Sequence, residues 1–177
     1  MSGERDAKAW LFERGADDIE HAGGSLYAHL CRVHDRLAAL GLDEDVQLAG
    51  LTHAVYSTDG FAVSLLDVAD RATLRALVGA PAEEHVYRYG GCDRGRTWRA
   101  LAVTEEIRSR FTGHVEAPTR AELRAFADLS IVNELDVAER DAEIDRKYGD
   151  YFRSVFAGWA ALASPAVIAD ARRVLVF

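Results

Sequence analysis

Leu26-Tyr27-Ala28-His29-Leu30-Cys31-Arg32-Val33-His34-Asp35-Arg36-Leu37-Ala38-Ala39-Leu40 places Leu26, Leu30, Val33, Leu37 and Leu40 at alternating steps of four and three. That period is one apolar stripe along a helix. Ser25 stands where an N-cap belongs, after the helix-breaking His21-Ala22-Gly23-Gly24, and Gly41 closes the helix. Upstream, residues 7–20 read as a first helix interrupted by Gly15. Downstream, Asp43 or Glu44 opens a third helix through Val46, Leu48, Leu51 and Val55, closed by the polar turn Ser57-Thr58-Asp59-Gly60. Residues 61–78 read as a fourth helix, and residues 82–89 as a fifth with Pro81 at its start and Gly90-Gly91 at its end. Residues 97–115 fit short strands, irregular structure or a helix equally well. Thr119 caps a long helix to about Arg140, and residues 148–162 and 165–174 supply two more. The expectation is an all-α fold: one compact bundle of seven or eight helices over 1–177, with room for a minor β-hairpin near 97–115.

Composition narrows the function classes. The 177 residues are 49% hydrophobic and 28% charged, the balance of a globular chain with a sizeable core. Twenty-nine acidic against 21 basic residues give a net charge of -8, which repels a polyphosphate backbone and argues against nucleic acid as a partner. No apolar run approaches a membrane span, and the first residues carry no secretory pattern, so no membrane partner and a cytoplasmic location are expected. Cys31 and Cys92 show neither disulfide-framework nor zinc-site spacing. A small-molecule partner is favoured, and a homodimer stays open.

Six histidines, His21, His29, His34, His53, His85 and His114, invite a test of phase. His29 borders the apolar stripe and can point inward. His34 is turned from it by roughly 140° at about 100° per residue, so the two cannot serve one site, and His34-Asp35 reads as a solvent-facing doublet. His53 lies between Leu51 and Val55, just before the polar turn. His85 and His114 read as structural, and Trp10, Trp98 and Trp159 as core.

The segments Tyr27-Ala28-His29-Leu30-Cys31-Arg32-Val33 and Leu48-Ala49-Gly50-Leu51-Thr52-His53 resemble those bearing the first and second metal histidines of the HD superfamily, helical metal-dependent phosphohydrolases and their oxygenase relatives. The nearest pattern is that of the RelA/SpoT-type hydrolase domain, which residues 73–86 and the Ala127-Asp128 to Asn133 segment also resemble. Gly50-Leu51-Thr52-His53-Ala54-Val55-Tyr56-Ser57-Thr58 with Phe61 is also similar to small uncharacterised bacterial HD-like proteins. The chain departs from the pattern in three places. Ala54 replaces the aspartate of the histidine-aspartate doublet, Ser57 and Thr58 stand where the hydrolases carry a Glu-Asp pair, and Asp128 and Asn133 are spaced one residue wider.

The resemblance implies a degenerate metal site with His29, His53 and Asp128 as ligands for manganese or iron, Asp59 being the other candidate carboxylate. Two histidines and a carboxylate form a facial triad, which suits a hydrolase or a non-haem iron oxygenase. His21 and Asp59 are candidate catalytic groups, and Tyr56 and Thr58 candidate pocket residues. Six arginines between Arg88 and Arg110 against three acids leave a local charge of +3, so Arg88 and Arg96 are candidates for gripping an anionic substrate. Ion pairing with the acidic residues of 134–150 explains the same arginines without a substrate. The expected function is a divergent metal-dependent hydrolase of a small anionic molecule. The alternatives are an iron oxygenase and a metal-free HD-like protein that binds a ligand or partner.

Overall fold

The computed structural model describes residues 2–177, which form two compact units, one ending at Gly90 and the other beginning at Gly91. The first contains α1 (Ser2–Glu13), a minimal hairpin of β1 (Glu20–His21) and β2 (Gly24–Ser25), then α2 (Leu26–Ala39), α3 (Glu44–Thr52), α4 (Arg71–Val78) and α5 (Ala80–Gly91). The Ser25 hydroxyl accepts the Ala28 N–H, and the stripe Leu26, Leu30, Val33 and Leu37 is fully buried. The fold hinges on the packing of α2 against α3. A Cβ built on Gly50 would fall well inside van der Waals contact with Leu37 Cδ1 and 3.3 Å from Val33 Cγ1, so only glycine permits this approach.

Two expected helices differ from those found. The first lies earlier and ends at Glu13, because Gly15 adopts φ +77° and the carbonyls of Ala16 and Ile19 accept the N–H groups of Tyr27 and Leu26. The helix expected over 61–78 exists only from Arg71. Leu65 and Leu66 both donate their N–H to the Val55 carbonyl, and the Asp70 carboxylate accepts the Thr73 N–H and starts α4 there. Long-range partners for those backbone donors replace the i→i−4 ladder.

The second unit contains α6 (Arg94–Thr97), α7 (Leu101–Thr104), β3 (Ile107–Arg108), β4 (Val115–Glu116), α8 (Arg120–Arg140), α9 (Ala142–Gly158), a 3-10 turn (Trp159–Ala161) and α10 (Pro165–Leu175). The stretch that fits several structures in sequence resolves into two one-turn helices and an antiparallel pairing of Ile107 with Glu116 and Arg108 with Val115. The fold is thus all-α with minor hairpins, as expected, and with ten α-helices among the described residues it is more finely divided than a seven- or eight-helix bundle. Thr119 and Glu122 close a reciprocal capping box at the start of α8. Helices α8, α9 and α10 pack on one another around Phe126, Phe156 and Trp159. No described helix is long and apolar enough to cross a membrane.

Candidate functional site

His29 projects from the first turn of α2 and His53 caps the C-terminal end of α3, and their Nε2 atoms lie 3.3 Å apart. The rings are nearly perpendicular, at 82°, and only 0% and 2% exposed. His53 Nδ1 is 2.8 Å from the Gly50 carbonyl oxygen. A carbonyl only accepts, so Nδ1 carries the hydrogen and the Nε2 lone pair of the neutral ring faces His29. Gly50 therefore has two tasks: it lets the helices close, and its carbonyl sets the His53 tautomer.

Three further groups gather here. The His21 ring stacks on His29 with centroids 4.2 Å apart and planes inclined by 22°. Phe61 and His21 meet edge to face, with ring centroids 5.2 Å apart. Tyr89, 1% exposed, stands perpendicular to His53 at 5.3 Å. Phe61 reaches His21 because Thr58 and Phe61 exchange backbone hydrogen bonds across a tight turn, with Ser57 at φ +66° and Gly60 at φ +119°. Thr58 is buried in that turn, and Asp59 is half-buried at its tip. Tyr89 is not legible as a site residue in the sequence. Its only sequence signal is its place on the helix of residues 82–89, which does not reveal that it faces His53.

Other candidates have different surroundings. Tyr56 is 2% exposed and donates its hydroxyl to Glu83, which is itself 0% exposed and also receives Arg71 and Arg75. Burial and the neighbouring Glu83 carboxylate raise the Tyr56 pKa, so the hydroxyl stays protonated as a donor. Arg88 is buried on α5, whereas Arg96 is exposed and lies 3.6 Å from Asp93. Arg94 pairs with Glu134 at 2.7 Å, the ion pairing that accounts for this arginine without a substrate.

Asp128, 1% exposed, uses both carboxylate oxygens on Ser164, accepting its N–H and its hydroxyl at 2.7 Å each. This bracing at the start of α10 explains the buried carboxylate without a metal ion. Burial raises the Asp128 pKa, and the two Ser164 hydrogen bonds only partly counter it. A raised folded pKa gives stability that is complete at acid pH and lost as pH rises through that value. Asp128→Asn, a neutral isostere, is therefore expected to be tolerated at pH 7. Asp128→Ala, which strips Ser164 of its acceptor, is expected to cost about 1–3 kcal/mol in urea unfolding.

His34 is not solvent-facing. It is 6% exposed, with Nδ1 2.9 Å from Asp35 Oδ1, because the first turns of α1 bring Glu4 and Lys8 over it. Glu4, His34 and Asp35 offer ligand atoms within 4.8 Å of one another and could hold a metal ion. The Lys8 ammonium already lies 2.8 Å from Glu4 and 3.9 Å from Asp35. His34 and His29 belong to different clusters, as the angle between them on α2 requires. Cys31 and Cys92 are free thiols.

The profile of a family described as a domain of unknown function (DUF6817) matches residues 10–94. That stretch includes His21, His29, His53, Phe61, Glu83 and Tyr89. No curated protein and no solved structure gives a significant match to the chain.

Proposed function

We propose that His29 and His53 supply two ligands to a divalent metal ion, manganese or iron, and that the protein is a divergent metal-dependent hydrolase of a small anionic molecule such as a phosphate ester. The observation that carries this reading is the 3.3 Å separation of two buried Nε2 atoms on perpendicular rings. Two nitrogens about 2.1 Å from one ion, at cis angles of about 90–110°, lie about 3.0–3.4 Å apart. Perpendicular rings let both lone pairs point at that ion, and the Gly50 carbonyl on the far nitrogen of His53 is the outer support typical of a ligating histidine. His21 does not fit as a third ligand, because an ion cannot lie in the planes of two stacked rings at once. Its place is beside the centre, where it can hold or move a proton, with Asp59 at the turn tip the nearest carboxylate in sequence to His53. Bound here, the ion would lower the pKa of a water to give a nucleophile near neutral pH.

The test is metal analysis of protein purified without chelators, then manganese-dependent hydrolysis of p-nitrophenyl phosphate. Wild type is expected to hold about one ion per chain with the pair intact. His53→Ala should weaken binding by more than about 100-fold, while His34→Ala, in the other cluster, should leave this ion in place. Equal metal content in wild type and His53→Ala rejects the reading.

A second reading has its own support. Ala54 is 2% exposed and brings no carboxylate, and 3.3 Å is also the length of a hydrogen bond from His29 Nε2–H to the His53 lone pair. A metal-free binding protein would then show a slowly exchanging imidazole proton by NMR that manganese does not disturb.

A further inference from the structure

In the first unit a second cluster stands apart from the histidine pair. Ala7 and Leu11, both fully buried, anchor α1, and the first turn of that helix carries Glu4 to His34 and Asp35 of α2. One ligand atom from each of the three lies within 4.8 Å of the other two. His34 is 6% exposed, and its Nδ1 is 2.9 Å from Asp35 Oδ1. Outside the cluster its ring has no hydrogen-bond partner among the described residues, so the polar atoms of a buried imidazole are left to the cluster itself. Lys8, one turn along α1 from Glu4, brings its ammonium to the same acids, 2.8 Å from Glu4 Oε1 and 3.9 Å from Asp35 Oδ1. The cluster is already a place for a cation, filled by a tethered one.

Donor type selects the ion. An imidazole nitrogen beside two carboxylate oxygens suits a borderline divalent ion such as zinc over magnesium and calcium, which favour oxygen alone. Three protein ligands leave a fourth tetrahedral position for water. Ligand atoms about 2.0–2.1 Å from one zinc ion stand about 3.0–3.4 Å apart, so the widest gap in the cluster has to close by at most about 1.5 Å. The Glu4 and Asp35 side chains, 39% and 67% exposed, have room to swing that far. Lys8 reaches water from the same face, and its release breaks one i,i+4 pair, a loss of about twofold in affinity. In exchange two carboxylates gain a doubly charged partner and the imidazole gains an electron-pair acceptor.

We propose that Glu4, His34 and Asp35 form a zinc site that joins α1 to α2, with Lys8 as the built-in cation that zinc displaces, independent of the histidine pair. Its Kd, on the order of 10 μM, is too weak for the ion to survive purification. The probe is zinc alone, titrated into the full chain and into its His53→Ala variant and read from the His34 ring resonances by NMR. Both proteins should show the same saturable shift, which separates this site from the pair. The double variant Glu4→Gln, Asp35→Asn alters only partly exposed side chains and should bind zinc at least about tenfold more weakly. Lys8→Met, which removes the competing ammonium, should bind it at least about twofold more tightly. Magnesium at the same concentration should leave His34 unmoved. The proposal is overturned if zinc leaves the His34 resonances in place, if the double variant binds like wild type, if Lys8→Met fails to tighten binding, or if magnesium matches zinc.

Discussion

Glu83→Ala is expected to lower the unfolding free energy by about 3 kcal/mol, the largest stability loss from any single polar side chain in the first unit. Glu83 is 0% exposed and collects four hydrogen bonds, from Tyr56 at 3.0 Å, Arg71 at 2.6 and 2.7 Å and Arg75 at 2.7 Å. Its removal orphans the buried Tyr56 hydroxyl and leaves two guanidinium groups short of an acceptor. Their partial exposure, 26% and 45%, keeps the cost at the lower end of the range for a broken buried pair. Glu84→Ala is the control. It contacts the same arginines at 2.7 and 3.3 Å, but at 39% exposure its loss should cost at most about 0.5 kcal/mol.

Burial alone would raise the Glu83 pKa, but the hydrogen bonds from Arg71, Arg75 and Tyr56 together outweigh it and hold the carboxyl below its ordinary value. With the folded pKa depressed, the contribution is present above the unfolded value near 4.5 and is lost as pH falls through the folded one. Urea melts of wild type and Glu83→Ala should therefore differ fully at pH 7 and converge as pH drops below about 4.5. A gap that stays constant down to pH 3 would mean that shape rather than charge sets the cost.

The second large effect is expected at Gly50. Alanine there gains up to about 1 kcal/mol of helix propensity, yet its methyl overlaps Leu37 and presses on Val33, both fully buried. Overpacking of this kind costs about 1–3 kcal/mol, and the severity of the overlap puts the net loss near 2 kcal/mol. Pushing α3 outward also carries away the Gly50 carbonyl that holds His53, so Gly50→Ala should weaken the metal binding proposed for the histidine pair as well as stability. Leu37→Val, which shortens the clashing side chain, should restore part of both in the double variant. If the two changes simply add, the helices do not meet where the structure puts them.

Much of the fold is legible before any coordinates. Ser25, Gly41 and the stripe from Leu26 fix α2, and Thr119 with Glu122 fixes the start of α8, because caps and periodicity act over a few residues. The failures have equally physical causes. Residues 61–70 carry aliphatic side chains at helical spacing, but Val55, distant in sequence, takes the backbone donors of Leu65 and Leu66. His34 has the right phase to avoid the His29 site, yet phase says nothing about which helix covers the other face, and α1 does.

The candidate site divides the same way. That His29 and His53 could both face inward follows from their positions on apolar helices. That their Nε2 atoms stand 3.3 Å apart follows from how closely two helices pack at one glycine. The sequence alone determined the helical class, the principal caps and the separation of His29 from His34, because each depends on neighbours along the chain. The tertiary structure alone decided that Glu83 gathers Tyr56, Arg71 and Arg75, that Asp128 holds Ser164, and that His21 stacks on His29, because these distances join side chains remote in sequence and are set by packing.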